Sequence, residues 1–202
     1  MSESAERGAA GEARRRRLEE AALAVFLRYG FRKTSMDEVA RAAGVSRQAL
    51  YLHFAAKEDL FCAAVRRFFD DAMAGATAAL GAPSRPLDAR LGAAFEAWVG
   101  PYLGAAGESA TDLVEATLAL AGPLVAEREA AFVDAVAAAM RKGGLAAAYR
   151  PARLSARQLA ETLYATARGL KHGASRDGFS QAMAVAARAM CLPLREGGSR
   201  GG

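Results

Sequence analysis

Cysteine and histidine are scarce in this chain, with two of each among 202 residues. Cys62 and Cys191 lie far apart, so buried free thiols in a reducing cytoplasm are expected, with a redox pair as the alternative. No Cys/His cluster has metal-ligand spacing, so no metal site is expected. No run of about 18 uninterrupted apolar residues appears, which excludes an apparent membrane span. The N-terminal stretch carries Glu3, Glu6 and Glu12 and no apolar core, so no signal peptide is read and a cytoplasmic location is expected. Paired catalytic carboxylates, Ser/His/Asp or Cys/His arrangements and phosphate-cradling glycine loops are also missing. An enzyme is therefore not expected, and no cofactor is implied.

Alanine dominates a 52% hydrophobic composition. The 6 prolines and 20 glycines fall mostly at breaks between helical patterns. Together these favour an all-α fold of about nine helices. The length allows one or two domains with a sizeable core. Charge is uneven: residues 1–67 hold 13 Lys and Arg against 9 Asp and Glu, while residues 68–202 hold 14 against 13. Most of the net +5 thus lies in the first third, as a nucleic-acid footprint would. An arginine-rich solvated surface would give the same balance.

The informative stretch is residues 31–60. Ser35 and Glu38 form a capping box, and Asp37 and Glu38 suit the positive end of a helix dipole. Met36, Val39, Ala40 and Ala43 make one apolar stripe. Gly44 supplies a tight turn, Val45 packs back, and Ser46 caps a second helix running to about Phe54. Ala49, Leu50 and Phe54 form its inner face. Arg47, Gln48, Tyr51 and Leu52 are left outward, a cluster that a core-only helix does not need. Gln48 can bond adenine N6/N7, Arg47 guanine or phosphate, and Leu52 a thymine methyl. Tyr51 and His53 suit phosphate oxygens.

These residues resemble the DNA-binding domain of the tetracycline-repressor (TetR) family of bacterial transcription regulators. The resemblance rests on Gly30-Phe31, Thr34-Ser35-Met36, Val39-Ala40, Ala43-Gly44-Val45-Ser46, Ala49-Leu50-Tyr51, His53-Phe54 and Lys57-Glu58-Asp59-Leu60. It covers roughly residues 14–61; the rest matches only in length and helical character. It implies an N-terminal three-helix DNA-binding domain, a C-terminal helical body that encloses a small-molecule pocket, and a homodimer. Thr34 and Ser35 are implied at the DNA near the start of the second helix. Ala56 departs from the family, which often has Ser, Asn or Gly there; losing that cap costs about 1 kcal/mol.

Residues 1–13 read as a disordered tail. Arg14 and Arg17 belong to a basic run suited to the phosphate backbone or the minor groove, or else to a frayed, solvated helix start. Leu18, Ala21, Ala22, Val25, Phe26 and Tyr29 repeat at helical spacing and complete the domain 14–61. From Lys57 a long helix runs to about Leu80, with Lys57 placed where a phosphate can sit or as a plain surface lysine. This helix is the natural mechanical link to the body. The body, 62–193, holds helices over about 87–99, from Ser109 or Thr111 to 121, from Pro123 to 142 and over 155–170; Arg176-Asp177-Gly178 then turns the chain into a last helix from Phe179 that Pro193 closes. Residues 194–202 read as a disordered tail.

The body is less informative. Phe95, Trp98, Tyr102, Phe132 and Tyr164 are the candidate effector contacts, and ordinary core aromatics are an equally good reading. An apolar or weakly polar effector is slightly favoured because carboxylates are scattered. The implied dimer interface uses the last two helices through Leu163, Ala167, Leu170, Phe179, Met183, Ala186, Ala187 and Met190, with intrachain packing as the alternative. The function expected is a repressor released from a palindromic double-stranded operator by a small molecule. The rival is a ligand-independent DNA-binding or structural protein.

Overall fold

The computed structural model describes residues 2–103, 110–170 and 175–197, and the side chains of 8–101, 103, 111–170 and 175–194. Among them are ten α-helices and no strand. These are α1 (Ser2–Tyr29), α2 (Met36–Ala42), α3 (Arg47–Tyr51), α4 (Lys57–Gly81), α5 (Leu87–Val99), α6 (Ala110–Lys142), α7 (Leu145–Ala148), α8 (Ala156–Leu170), α9 (Arg176–Met190) and α10 (Leu192–Gly197). None of the helices is long and apolar enough to cross a membrane.

The all-α reading holds, with four local differences. First, α1 reaches back to Ser2, through the stretch read as a disordered tail. Alanine, glutamate and arginine are strong helix formers, and Arg15–Glu19 and Arg16–Glu20 add i,i+4 pairs at 3.0 and 2.8 Å. Second, Gly122-Pro123 does not end a helix: Pro123 lies inside α6. Its ring removes the bond to the Ala119 carbonyl and crowds the preceding turn. The Cys62 thiol donates to the carbonyl of Leu120 in that turn, at 3.3 Å. Third, the short α7 follows Gly144, whose φ of 79° restarts the chain. Fourth, Pro193 does not close α9; α9 stops at Met190, and Pro193 lies in the first turn of α10, where its missing N–H costs nothing. Residues 104–109, which include Ser109, and residues 171–174 and 198–202 lie outside the described residues.

Two compact units divide the chain: Met1–Asp70 with Ala105–Val125, and Asp71–Gly104 with Ala126–Gly202. The helices α4 and α6 both run through a boundary.

The first unit is built on Leu18, Ala22, Val25 and Phe26 of α1, Met36, Val39 and Ala40 of α2, and Leu50, Phe54, Leu60 and Phe61, all buried. Phe61 meets Phe26 edge-on at 5.1 Å and Phe31 at 5.0 Å. The α2–α3 turn closes with two bonds of a Schellman motif, Val45 N–H to Ala40 at 3.0 Å and Gly44 N–H to Arg41 at 3.2 Å. Gly44 has the expected positive φ, 66°. Ala56 is less costly than expected, because Asp59 reaches back to accept from the Ala56 N–H at 3.1 Å. That is half of a capping box, supplied from the helix side.

In the second unit α5 packs on α9 and α8 on α9. A Cβ on Gly75 would stand 3.3 Å from that of Ala97, so α4 and α5 approach closely there. Arg90 closes the end of α4 by donating from Nε (2.7 Å) and Nη2 to the Leu80 carbonyl. The Tyr149 hydroxyl does the same for α9, donating to Met190 at 3.0 Å.

Candidate nucleic-acid interface

The α2–α3 pair presents its polar face outward. Ser35 caps α2: its Oγ accepts from the Glu38 N–H at 3.3 Å, and Glu38 accepts from the Ser35 N–H at 2.7 Å. The Ser35 N–H first, and then the Ser35 hydroxyl donating to the same carboxylate at 2.9 Å, hold the Glu38 carboxyl below the ordinary glutamate range. Ser46 caps α3 by accepting from Ala49 at 3.1 Å. The helix proper is short, Arg47–Tyr51, but Phe54 N–H still reaches the Leu50 carbonyl at 3.1 Å, so one more turn follows.

Arg47, Gln48, Tyr51 and Leu52 are all exposed, Leu52 at 82% and Tyr51 at 40%. An exposed leucine of that degree, beside Arg, Gln and Tyr, has no use in packing this domain. His53 is half-buried, its ring 6.4 Å from that of Phe54. Arg47 is held in place by Asp37, Nη1 to Oδ2 at 3.1 Å, and its guanidinium lies 5.4 Å from the Tyr51 ring. Arg14 and Arg17 are exposed on α1 and make no ion pair among the described residues. Arg15 spreads over Phe54 at 4.8 Å.

Two candidates are not placed as expected. Thr34 is buried, 2% exposed, and its hydroxyl donates to the Gly30 carbonyl at 2.6 Å. It closes the α1 turn and offers no side chain to a phosphate. Lys57 is half-buried, and its ammonium donates to the carbonyls of Phe31 at 3.0 Å and Thr34 at 3.1 Å. It also stands 4.3 Å from the Phe31 ring centroid. Lys57 therefore ties the start of α4 to the α1–α2 loop instead of standing free for a phosphate.

The same loop carries a contact that sequence reading missed. Arg32 N–H donates to Asp112 at 2.9 Å, and its guanidinium reaches Glu115 at 2.6 Å and Asp112 at 3.4 Å. Both carboxylates sit on α6, and their pairing with Arg32, 80 and 83 residues away, leaves no local signal.

In the second unit Phe95, Trp98, Phe132 and Tyr164 do converge. Trp98 stacks on Phe132 at 4.5 Å and 6°, Phe95 meets Phe132 edge-on at 5.0 Å, and Tyr164 lies 6.1 Å away. Phe95, Trp98 and Phe132 are buried, so these faces are spent on one another as core packing. Tyr164 is half-buried; desolvation and then a hydrogen bond to Glu129 push its hydroxyl well above the ordinary tyrosine range. The Tyr102 side chain lies outside the described residues.

Of the residues assigned to a dimer interface, Leu163, Ala167, Phe179, Met183 and Ala187 are buried within this one chain. They lie on α8 and α9, which pack on one another, with α5 also on α9, so their burial needs no second copy. Leu170, Ala186 and Met190 are half-buried. The outward face of the same helices carries Thr162, Ala165, Thr166 and Gly169 on α8, and Val185 and Ala189 on α9.

Comparison with known proteins agrees with this geometry. Residues 18–64 match the family described as bacterial regulatory proteins, tetR family. The transcriptional activator FasR of Mycolicibacterium smegmatis is 42% identical over 67 residues, 33% of this chain and 31% of that protein. The transcriptional regulator AcrR of Shigella flexneri is 47% identical over 47 residues, 23% of this chain and 22% of that protein. The aligned segments thus span less than a third of either relative. A transcriptional regulator from Saccharomonospora viridis, solved in complex with choline, shares the fold with a TM-score of 0.64 at 23% identity, over 86% of this chain and 94% of that one. Residues 18–64 of the chain thus form a helix-turn-helix domain similar to that of the tetR family of bacterial regulatory proteins.

Proposed function

We propose that the protein is a DNA-binding transcription regulator that works as a homodimer on a palindromic operator and is released by a small molecule. The observation that carries the DNA-binding part is the exposed face of α3: Arg47, Gln48, Tyr51 and Leu52 side by side on a capped helix anchored by Leu50 and Phe54. Ser46 and His53 flank that face, and Arg14 and Arg17 add positive charge on α1 for the phosphate backbone. Two such helices related by a two-fold axis would enter successive major grooves, roughly 34–36 Å apart.

Pairing of two copies is best served by the outward face of α8 and α9. Small Thr162, Ala165, Thr166, Gly169 and Ala189 permit close approach, and Val185 supplies apolar area. Effector binding is assigned to the body around Tyr164 and Glu129, where a phenol and a carboxylate meet an aromatic cluster. Phe95, Trp98 and Phe132, packed on one another, back this place as core. The S. viridis regulator holds choline on this fold, and that supports a small organic effector here too. The carboxylate of Glu129 shifts the expected chemistry from apolar toward a weakly polar or cationic molecule.

Such a ligand acts only through its different affinity for two states. Besides α4, α6 is suited to carry the difference: it bears Asp112 and Glu115, bound to Arg32, and also Phe132 of the aromatic cluster. Selection of bound duplexes from a random library at two salt concentrations tests the reading. A palindromic consensus with steep salt dependence supports it; salt-sensitive binding without sequence preference favours the ligand-independent architectural protein instead.

A further inference from the structure

Away from the helix-turn-helix, the turn between α6 and α8 forms a shallow, open concavity of about 470 Å³ in which four arginines meet. Arg141 comes from the last turn of α6, Arg150 and Arg153 from the turn itself, and Arg157 from the first turn of α8. All four are exposed, and Lys142 lies next to Arg141. The acidic groups beside them are Asp134 and Glu161, and both are taken by Arg157, Glu161 at 2.6 Å from Nε and Asp134 on Nη1. Among the described residues Arg141, Arg150 and Arg153 make no ion pair. Three guanidinium groups therefore face one concavity with no anion of their own.

Arg153 sharpens the point. Among the described residues it is the one non-glycine residue with positive φ, 56°. Glycine adopts that conformation without a steric penalty, yet an arginine occupies it. The turn is set by backbone bonds, Arg153 N–H to Arg150 at 3.0 Å and Leu154 N–H to Tyr149 at 3.4 Å. The α8 N-terminus, capped by Ser155 and Gln158, adds its positive dipole end on the same side.

We propose that this concavity binds a small anion carrying two or more adjacent phosphate groups. Guanidinium forks match phosphate oxygens in pairs, and several arginines on one surface favour a multiply charged anion over a single carboxylate. The volume suits a small molecule. The site is separate in residues from the aromatic cluster and from the α3 face, so it does not depend on the regulator reading.

The test is calorimetric titration of the full chain with sodium tripolyphosphate at low ionic strength. The wild type is expected to bind one anion per chain at the arginine turn. Arg150→Gln and Arg153→Gly should each weaken binding about tenfold, the loss of one charge-assisted hydrogen-bond set. Arg153→Gly also relieves the positive φ, so its thermal midpoint should hold or rise, and lost binding cannot then be ascribed to unfolding. Arg85→Gln, on a surface turn elsewhere, should leave binding unchanged. Binding that survives Arg150→Gln and Arg153→Gly, or that is lost in Arg14→Gln/Arg17→Gln, would overturn the proposal, the latter by placing the anion on the DNA-binding face. Absence of binding at millimolar tripolyphosphate would overturn it as well. A DNA duplex titrated against the same variants separates sources: a free phosphate compound leaves duplex affinity unchanged in Arg150→Gln, whereas DNA phosphates at this site lower it and contradict the small-molecule assignment.

Discussion

Lys57 donates to the carbonyl of Thr34, 23 residues earlier, at 3.1 Å, and with the Phe31 carbonyl at 3.0 Å this fixes α4 to the loop that enters the helix-turn-helix. The role of the lysine is thus positional. Replacing it with methionine keeps the stem and leaves two backbone carbonyls without their charged donor. The expected cost is about 1–3 kcal/mol of domain stability, read from denaturant unfolding. The slope of DNA affinity against salt should change by much less than 1, because no phosphate contact is lost.

Asp37 neutralises Arg47 on the exposed α3 face, 3.1 Å from Nη1. The pair is exposed, so Asp37→Asn should alter stability by less than about 1 kcal/mol. It removes an anion that a phosphate must otherwise face and frees the guanidinium. DNA affinity should rise and its salt dependence steepen, in anisotropy titrations at several salt concentrations.

Much of this domain is legible in the sequence because its devices are local. The Ser35/Glu38 box, the Gly44 turn and the Ser46 cap each lie within a few residues, and periodicity alone marks Leu50 and Phe54 as inner. Thr34 and Lys57 are misplaced by the same reading, because their partners are fixed by the turn at Gly30, which has φ of 85°, and by a loop 26 residues from Lys57. In the body, helical spacing shows that Leu163, Met183 and Ala187 form an apolar face. It does not show whether the chain's own α5 and α9 or a second copy covers that face. Composition misjudges residues 2–13 because alanine, glutamate and arginine suit helix as well as disorder.

Glu38 gives a pH signature. Its carboxyl is held below the ordinary value by the Ser35 N–H, so the box contributes stability above the unfolded glutamate pKa and loses it as pH falls through the lowered folded value. Glu38→Gln should lower the thermal midpoint at neutral pH. The difference from wild type should shrink as the pH falls through the acidic range, since the native side chain then becomes neutral too.

Asp112 accepts from the Arg32 amide at 2.9 Å. Asp112→Ala should speed hydrogen exchange at Arg32 while the amides of the α2 interior keep their protection. Equal exchange in both proteins would show that the contact does not hold the loop.

Phe132 touches Phe95, Trp98 and Tyr164 and is fully buried. Phe132→Ala should cost about 3–5 kcal/mol by opening the aromatic cluster. Any change in effector response in that variant has to be read beside its thermal midpoint.

In the proposed function the outward face of α3 reads DNA sequence. The most direct measurement compares the sequences selected by the wild type and by Gln48→Ala from one random duplex library. A palindromic consensus is expected for the wild type and, for the variant, relaxed preference at one symmetric pair of positions with about 1–3 kcal/mol lost on the original site. An unchanged consensus and unchanged affinity in Gln48→Ala would contradict it.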